Sequence, residues 1–328
     1  MTVATMPLLT IELEHLTTLP DGRTVEWEAL GEGTEPLVWV EGGPGLPAHL
    51  ARADVVPVLD RFRCHLVNAP GSGRSTPPST EEGYDLEAIV GIFEAWRRAI
   101  GLGPVTLMGH SWGGLVAPAW AALHPEAVRR LVVISGYAGA GSVDPAEVAA
   151  EQRRALDRIR DRPWFATAWA AWEGSLGAVG LSEEALAEIF RAILPLYFAQ
   201  PEEPAAAGHI ERIRRELRWH APIVDAWTGA REDADYRPLL GRIRCPTLVV
   251  SGEHDWICGP TWNRALSAAI AGSRLVVMEG VGHLPQYEAP AAFRATIDGW
   301  LATTDLGKRD RAMGSTRHAP RRAARPAR

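Results

Sequence analysis

Ser111 stands in the run Gly109-His110-Ser111-Trp112-Gly113-Gly114, directly after Val105-Thr106-Leu107-Met108 and before an apolar stretch from Leu115 to Leu123. G-x-S-x-G alone is a weak signal. On a strand–turn–helix it is a strong one, because so sharp a turn needs small residues around the serine to expose its hydroxyl. The N-terminus of the following helix would favour developing negative charge, and Pro118 inside that helix is expected to kink it or shorten its regular part. A serine hydroxyl is a weak nucleophile at neutral pH, so it needs a base, and the base needs an acid to orient it. Asp255 lies just beyond the apolar run Thr247-Leu248-Val249-Val250, and His283 just beyond Leu275-Val276-Val277-Met278. Both fall where parallel strands would reach their carboxyl ends, the edge at which open α/β sheets hold ligands. His110 and His254 are rivals to His283, and Glu253 is the rival to Asp255. His254 adjoins the candidate acid, where one ring reaching both Asp255 and Ser111 is awkward. The candidate catalytic set is therefore Ser111, Asp255 and His283, and its chemistry is acyl transfer through a covalent acyl-enzyme.

Acyl transfer also needs donors for the oxyanion, commonly one backbone N–H after the nucleophile and one from the loop after the third strand. Trp112 would supply the first. Gly43, in Glu41-Gly42-Gly43-Pro44-Gly45, would supply the second, because glycine lets the backbone come close to a ligand. Glu41 is a poor neighbour for an oxyanion, since like charges repel strongly where water is excluded. Three outcomes are open: a cation such as Arg74 neutralises it, it is protonated, or it turns to substrate. The expectation is the third, in which Glu41 selects a positively charged or hydrogen-bond-donating group on the ligand. Cys258 has no Cys or His at ligand spacing, and Gly71-Ser72-Gly73 lacks the Lys-Ser/Thr of a phosphate loop. No metal and no cofactor is expected.

A sheet must hold these residues. Strand-like runs fall at about 9–17, at 23–30 after a turn at Pro20-Asp21-Gly22, and at 36–40, 64–67, 105–108, 131–134, 247–250 and 275–278. Between 85 and 101, Leu86, Ile89, Val90, Phe93, Trp96 and Ile100 recur at helical spacing. Short apolar strands alternating with helices predict an α/β fold with a mostly parallel central sheet flanked by helices. The alternation breaks between about 140 and 232, a helical stretch that holds Trp164, Trp169, Trp172, Trp219 and Trp227. That predicts a helical cap at 140–232, inserted into a core of residues 1–139 and 233–303. The aromatic residues near the site (Trp112, Trp256, Trp262 and the cap tryptophans) favour a substrate with an apolar or ring-shaped acyl part.

Composition narrows the class further. The 328 residues are 46% apolar and 23% charged, ordinary for a globular chain with a sizeable core. Net charge is −6, but eight Lys/Arg and two Asp from 305 onward give that end +6 and leave −12 on residues 1–304. So acidic a body is a poor nucleic-acid binder, and 304–328 reads as a disordered basic tail. No run has the length of a membrane span, and Glu12 and Glu14 interrupt any signal-like N-terminus. Three widely spaced cysteines imply no disulfide framework. The expectation is a cytoplasmic enzyme whose partner is a small-molecule or short peptide substrate, with no nucleic acid and no membrane.

The chain resembles an α/β-hydrolase, and specifically the proline iminopeptidases (prolyl aminopeptidases), over most of residues 35–303. The matching motifs are GGPG at 42–45, GSGRSTP at 71–77, GHSWGG at 109–114, WAAWEG at 169–174, GEHDWIC at 252–258 and EGVGH at 279–283. The resemblance implies a Ser111–Asp255–His283 triad and a cap that selects a small N-terminal residue such as proline, with cap carboxylates holding the free α-amine. Three positions depart from that pattern. Glu41 stands where the family has histidine, Asn68-Ala69-Pro70 where it has an aspartate and an arginine, and Ile189-Phe190 where it has Ile-Glu. Candidate substrate contacts are Glu41, Trp172, Glu173, Phe190 and Trp256, with Glu173, Glu188 or Glu211 the substitutes for the absent glutamate. With Phe190 in its place, blocking a substrate amine is expected to cost less than the roughly 10–150-fold of one charge-assisted contact. An esterase, lactonase or thioesterase needs the same triad, as does a cyclase or acyltransferase. A non-catalytic binding protein needs neither the triad nor the glycine loops.

Overall fold

In the computed structural model, which describes residues 12–228 and 234–315, Leu37 and Trp39 bury in one apolar layer and Val38 and Val40 in another. A period of two with both faces buried requires a sheet covered on both sides. The strands are β1 (Glu12–Thr18), β2 (Thr24–Leu30), β3 (Glu35–Val40), β4 (Phe62–Val67), β5 (Val105–His110), β6 (Val128–Ile134), β7 (Thr247–Gly252) and β8 (Arg274–Met278). They form one sheet in the order β1-β2-β4-β3-β5-β6-β7-β8. The β1–β2 and β2–β4 pairs are antiparallel, and every pairing from β4 to β8 is parallel.

Helices α1 (Leu86–Ala99) and α2 (Gly113–Leu123) cover one face, burying Ile89, Phe93, Trp96 and Trp120 with Val38, Leu107 and Leu131. On the other face, the helix Pro290–Ser315 buries Phe293, Ile297, Trp300 and Leu301, a helical stripe, with Trp39, Met108 and Leu248. Pro118 does not end α2, whose regular span runs through it. The expected tail needs correction: the helix Pro290–Ser315 runs into its first residues despite Gly307 and Gly314, and no proline intervenes before Pro320. Residues 316–328 lie outside the described residues. Among the described residues no helix is long and apolar enough to cross a membrane.

From Ser135 to Pro246 the described residues contain no strand. Helices α3 (Pro145–Asp157), α4 (Phe165–Ser175), α5 (Glu183–Ile193), α6 (Pro204–Glu216) and α7 (Ala221–Trp227) fill the segment. Asp144 and Ser182 start α3 and α5 as side-chain caps, accepting from the amides of Ala146 and Ala185. Ile159, Ala168, Phe190, Ile193 and Ile213 then pack with Leu46, Leu50, Trp256 and Leu284 from the sheet's loops, so these helices sit over the carboxyl edge of the strands. Glu151 of α3 reaches across to accept from the amide and hydroxyl of Thr261, which tethers the helical layer to the helix Pro260–Ala269.

Candidate active site

The turn at Ser111 is as sharp as its sequence demands. Ser111 has φ 55°, in the left-handed region that a non-glycine residue seldom adopts, and its amide donates to the Ile134 carbonyl at 3.0 Å. A Cβ on Gly109 would run into the carbonyl of Gly113, and one on Gly113 into that of Val40. Only glycine lets β5, the turn and α2 approach so closely. Strain of this kind persists where the surroundings over-determine it, here to present one hydroxyl.

His283 is held from every side but one. Its amide donates to the Tyr197 carbonyl at 2.8 Å, and its own carbonyl lies 2.9 Å from His110 Nε2. Its Nδ1 lies 2.8 Å from Asp255 Oδ2, while Asp255 Oδ1 accepts from the amides of Ile257 and Cys258, each at 3.0 Å. Burial acts to raise the Asp255 carboxyl, yet the His283 ring and those two amides hold it below its ordinary value. An ionised Asp255 requires the proton on His283 Nδ1, so Nε2 is the basic nitrogen. Burial pushes the His283 imidazole below its ordinary value, against the pull of Asp255. Nε2 is buried and has no hydrogen-bond partner among the described residues.

Ser111 and His283 both line a cavity of about 360 Å3. Gly43 and Trp112 line it too, and the glycine loop lies so close that a Cβ on Gly42 would stand 2.9 Å from Ser111 Cβ. Trp172, Phe190, Trp219 and Trp227 give the cavity an aromatic wall. Two expected contacts are corrected. Glu173 is exposed, because one residue along α4 rotates a side chain about 100° away from the inward-facing Trp172. Trp256 lies outside the lining: its indole packs edge-on to Trp172 at 4.9 Å and donates to the Leu196 carbonyl, which makes it part of the seam beneath the helices. Glu188 and Glu211 are likewise exposed. Trp262 does not line the cavity itself; it packs edge-on to Tyr137, which does.

The rivals separate by geometry. Glu253 accepts from the Gly280 amide and lies 3.4 Å from His254 Nε2, whereas the carboxylate at His283 Nδ1 is that of Asp255. His110 buries beneath the elbow, tied to His283 through its carbonyl. Arg74 does not reach Glu41; it pairs with Glu26, which also accepts from Asn68 Nδ2 at 2.9 Å. Asn68 in turn accepts from the Ala48 amide at 2.7 Å. Asn68 thus ties Ala48, just after the glycine loop 42–45, to Glu26. Glu41 lines the cavity, accepts from Trp39 Nε1 at 2.9 Å and lies 4.0 Å from His110 Nδ1.

Sequence reasoning missed Asp54 and His209, both buried in the cavity wall. A lone acid in the apolar run Ala53-Asp54-Val55-Val56-Pro57-Val58 was the available signal for Asp54. His209 carries none, because only the folded α6 turns it inward.

A family model described as α/β hydrolase fold matches residues 35–290. The chain belongs to that family and is an α/β-hydrolase enzyme. Over 312 residues it is 26% identical to a proline iminopeptidase of Lactobacillus helveticus, covering 87% of this chain and 96% of the relative. Over 231 residues it is 33% identical to a pimeloyl-(acyl-carrier protein) methyl ester esterase of Neisseria meningitidis, covering 70% and 79%. In structure it resembles an enol-lactonase from Burkholderia xenovorans, with a TM-score of 0.65, 24% identity, and coverage of 88% of this chain and all of the other.

Proposed function

We propose that the protein is a serine hydrolase that cleaves a small amide or ester through an acyl-enzyme on Ser111. Ser111 Oγ attacks the substrate carbonyl carbon as its proton passes to His283 Nε2, while Asp255 stabilises the imidazolium that forms. The amides of Gly43 and Trp112 receive the oxyanion. Collapse breaks the bond to the leaving group, which takes the proton from His283. Water then attacks the acyl carbon as its proton passes to His283 Nε2, and collapse breaks the bond to Ser111 Oγ, which takes that proton as the acid leaves. The observation that carries this reading is the His283 ring: one nitrogen is fixed by a buried carboxylate, and the other is buried and unpartnered at the cavity Ser111 lines.

Relatives on both sides of the amide–ester divide leave the bond type to this chain's own cavity. The aromatic wall favours an apolar or ring-shaped acyl group. None of Glu173, Glu188 and Glu211 lines the cavity, so no cap glutamate of that set holds a substrate amine, and an ester fits as well as an amide. A fluorophosphonate probe is expected to label Ser111, and Ser111→Ala to lose labelling together with about 10⁴-fold or more of turnover. His283→Ala follows it, whereas His254→Ala keeps most activity. Labelling that survives Ser111→Ala overturns the assignment. Proline, alanine and leucine arylamides run beside short-chain nitrophenyl esters assign the bond.

A further inference from the structure

Two carboxylates line the cavity, and both come from its sheet-side wall: Glu41 beyond β3, and Asp54 just past the turn Ala48–Arg52. Asp54 is only 4% exposed, and its Oδ1 is buried with no hydrogen-bond partner among the described residues. A carboxylate left so in a low-dielectric wall costs several kcal/mol unless something compensates it. The charges around it do not. Glu41 and Asp54 supply two negative charges, and His110, when protonated, returns one. Arg212 is the other cation facing Asp54, and it is spent: it pairs with Glu216 at 2.9 Å and donates to the Leu50 carbonyl and to His209 Nδ1. That last bond makes His209 a neutral ring, as does burial, which lowers it to about 3. When Asp54 is ionised, one negative charge remains uncompensated.

We propose that Asp54 and Glu41 form a subsite for a compact cationic group, a protonated amine on a small substrate with an apolar body. A metal ion fits less well: the donors Glu41, Asp54, His110 and His209 do not gather within bonding distance of one centre, and among the described residues the cluster that does is Glu94, His124 and Glu126. That cluster is already saturated, since Glu94 accepts from Arg97, Arg98 and Trp120. The apolar remainder of the ligand meets Trp172, Phe190 and Trp219. The subsite rests on the serine-hydrolase reading only in sharing its cavity.

Burial raises the Asp54 carboxyl to about 7, reinforced by Glu41 and opposed by His110 and Arg212. An ammonium ion therefore displaces a proton from Asp54 as it binds, and affinity rises as pH rises through about 7. Calorimetric titration of propyl- to hexylammonium ions, beside the matching alcohols, reads this without any turnover. At pH 8 the best amine is expected to bind roughly 10–150-fold tighter than its alcohol, with proton release near pH 7, and Asp54→Asn and Glu41→Gln are each expected to shrink that ratio. Should Asp54→Asn not fold, Glu41→Gln carries the test. Equal affinities, no binding, or a ratio that survives both variants overturns the subsite. Loss of Ser111 labelling is a separate result and overturns the hydrolase reading alone.

Discussion

At the scale of single residues, His283 and Asp255 divide one proton between two environments. Burial keeps His283 neutral until the pH drops below its ordinary range, and Asp255 is held ionised by the ring and by two amides. The free-enzyme acid limb of kcat/KM for a neutral ester is therefore expected below pH 6.5, the unperturbed imidazole value. An amine substrate is expected to add a second limb near pH 7 from Asp54. Asp255→Asn should lower kcat about 10⁴-fold by favouring the wrong tautomer; a loss under tenfold in a pH–rate series sinks the orienting role. The candidate triad could be proposed from sequence because each member stands in a glycine-containing turn after an apolar strand, a local pattern. Asp54, His110 and His209 were not legible as a group. They converge only through tertiary packing, and no spacing in the chain brings 54, 110 and 209 together.

At the scale of elements, the loop carrying His283 is locked to the helical layer by one side chain. Glu288 Oε1 accepts from the amides of Gly282 and Leu284, on either side of His283, and Oε2 accepts from Ala199. The adjoining Tyr197 carbonyl accepts from His283 itself. The 197–199 segment and the loop carrying His283, the proposed base, thus share one set of hydrogen bonds. Glu288→Gln keeps the shape but turns an acceptor pair into one acceptor and one donor, leaving an amide facing a donor. It should cost about 1–3 kcal/mol of stability and lower kcat for esters and amides alike, while KM for matched amine and neutral substrates moves together. A change confined to KM for amines would assign Glu288 to binding instead. The sheet was readable from short apolar strands alternating with helices, and the helical stretch from the gap in that alternation. Which helical residues face the cavity was not: Trp172 and Glu173 are neighbours in sequence, and only the phase of α4 separates them.

At the scale of the whole molecule, the same buried carboxyls set how stability responds to pH. Asp54 and Glu288 are each raised to about 7, by burial first. A carboxyl raised in the folded state binds its proton more tightly there than when unfolded. Its contribution is fully present below the unfolded value near 4 and is lost as pH rises through about 7. Glu94 works in the other direction. Burial opposes its ionisation, but Arg97, Arg98 and Trp120 hold it at about 2, so its contribution is present above its unfolded value and lost as pH falls through about 2. The thermal midpoint is therefore expected to peak on the acid side of neutrality and to fall by pH 8.5. Asp54→Asn separates the Asp54 share, since its unpartnered Oδ1 forfeits no hydrogen bond on replacement. Relative to wild type, that variant should gain roughly 2–6 °C in Tm at pH 8.5 and little at pH 4. A ligand that neutralises Asp54 should close the same gap, so a saturating alkylammonium ion is expected to stabilise wild type more than Asp54→Asn at pH 8.5. If the variant is no more stable than wild type at the higher pH, Asp54 is not an uncompensated charge in the folded protein, and the strain attributed to it is absent.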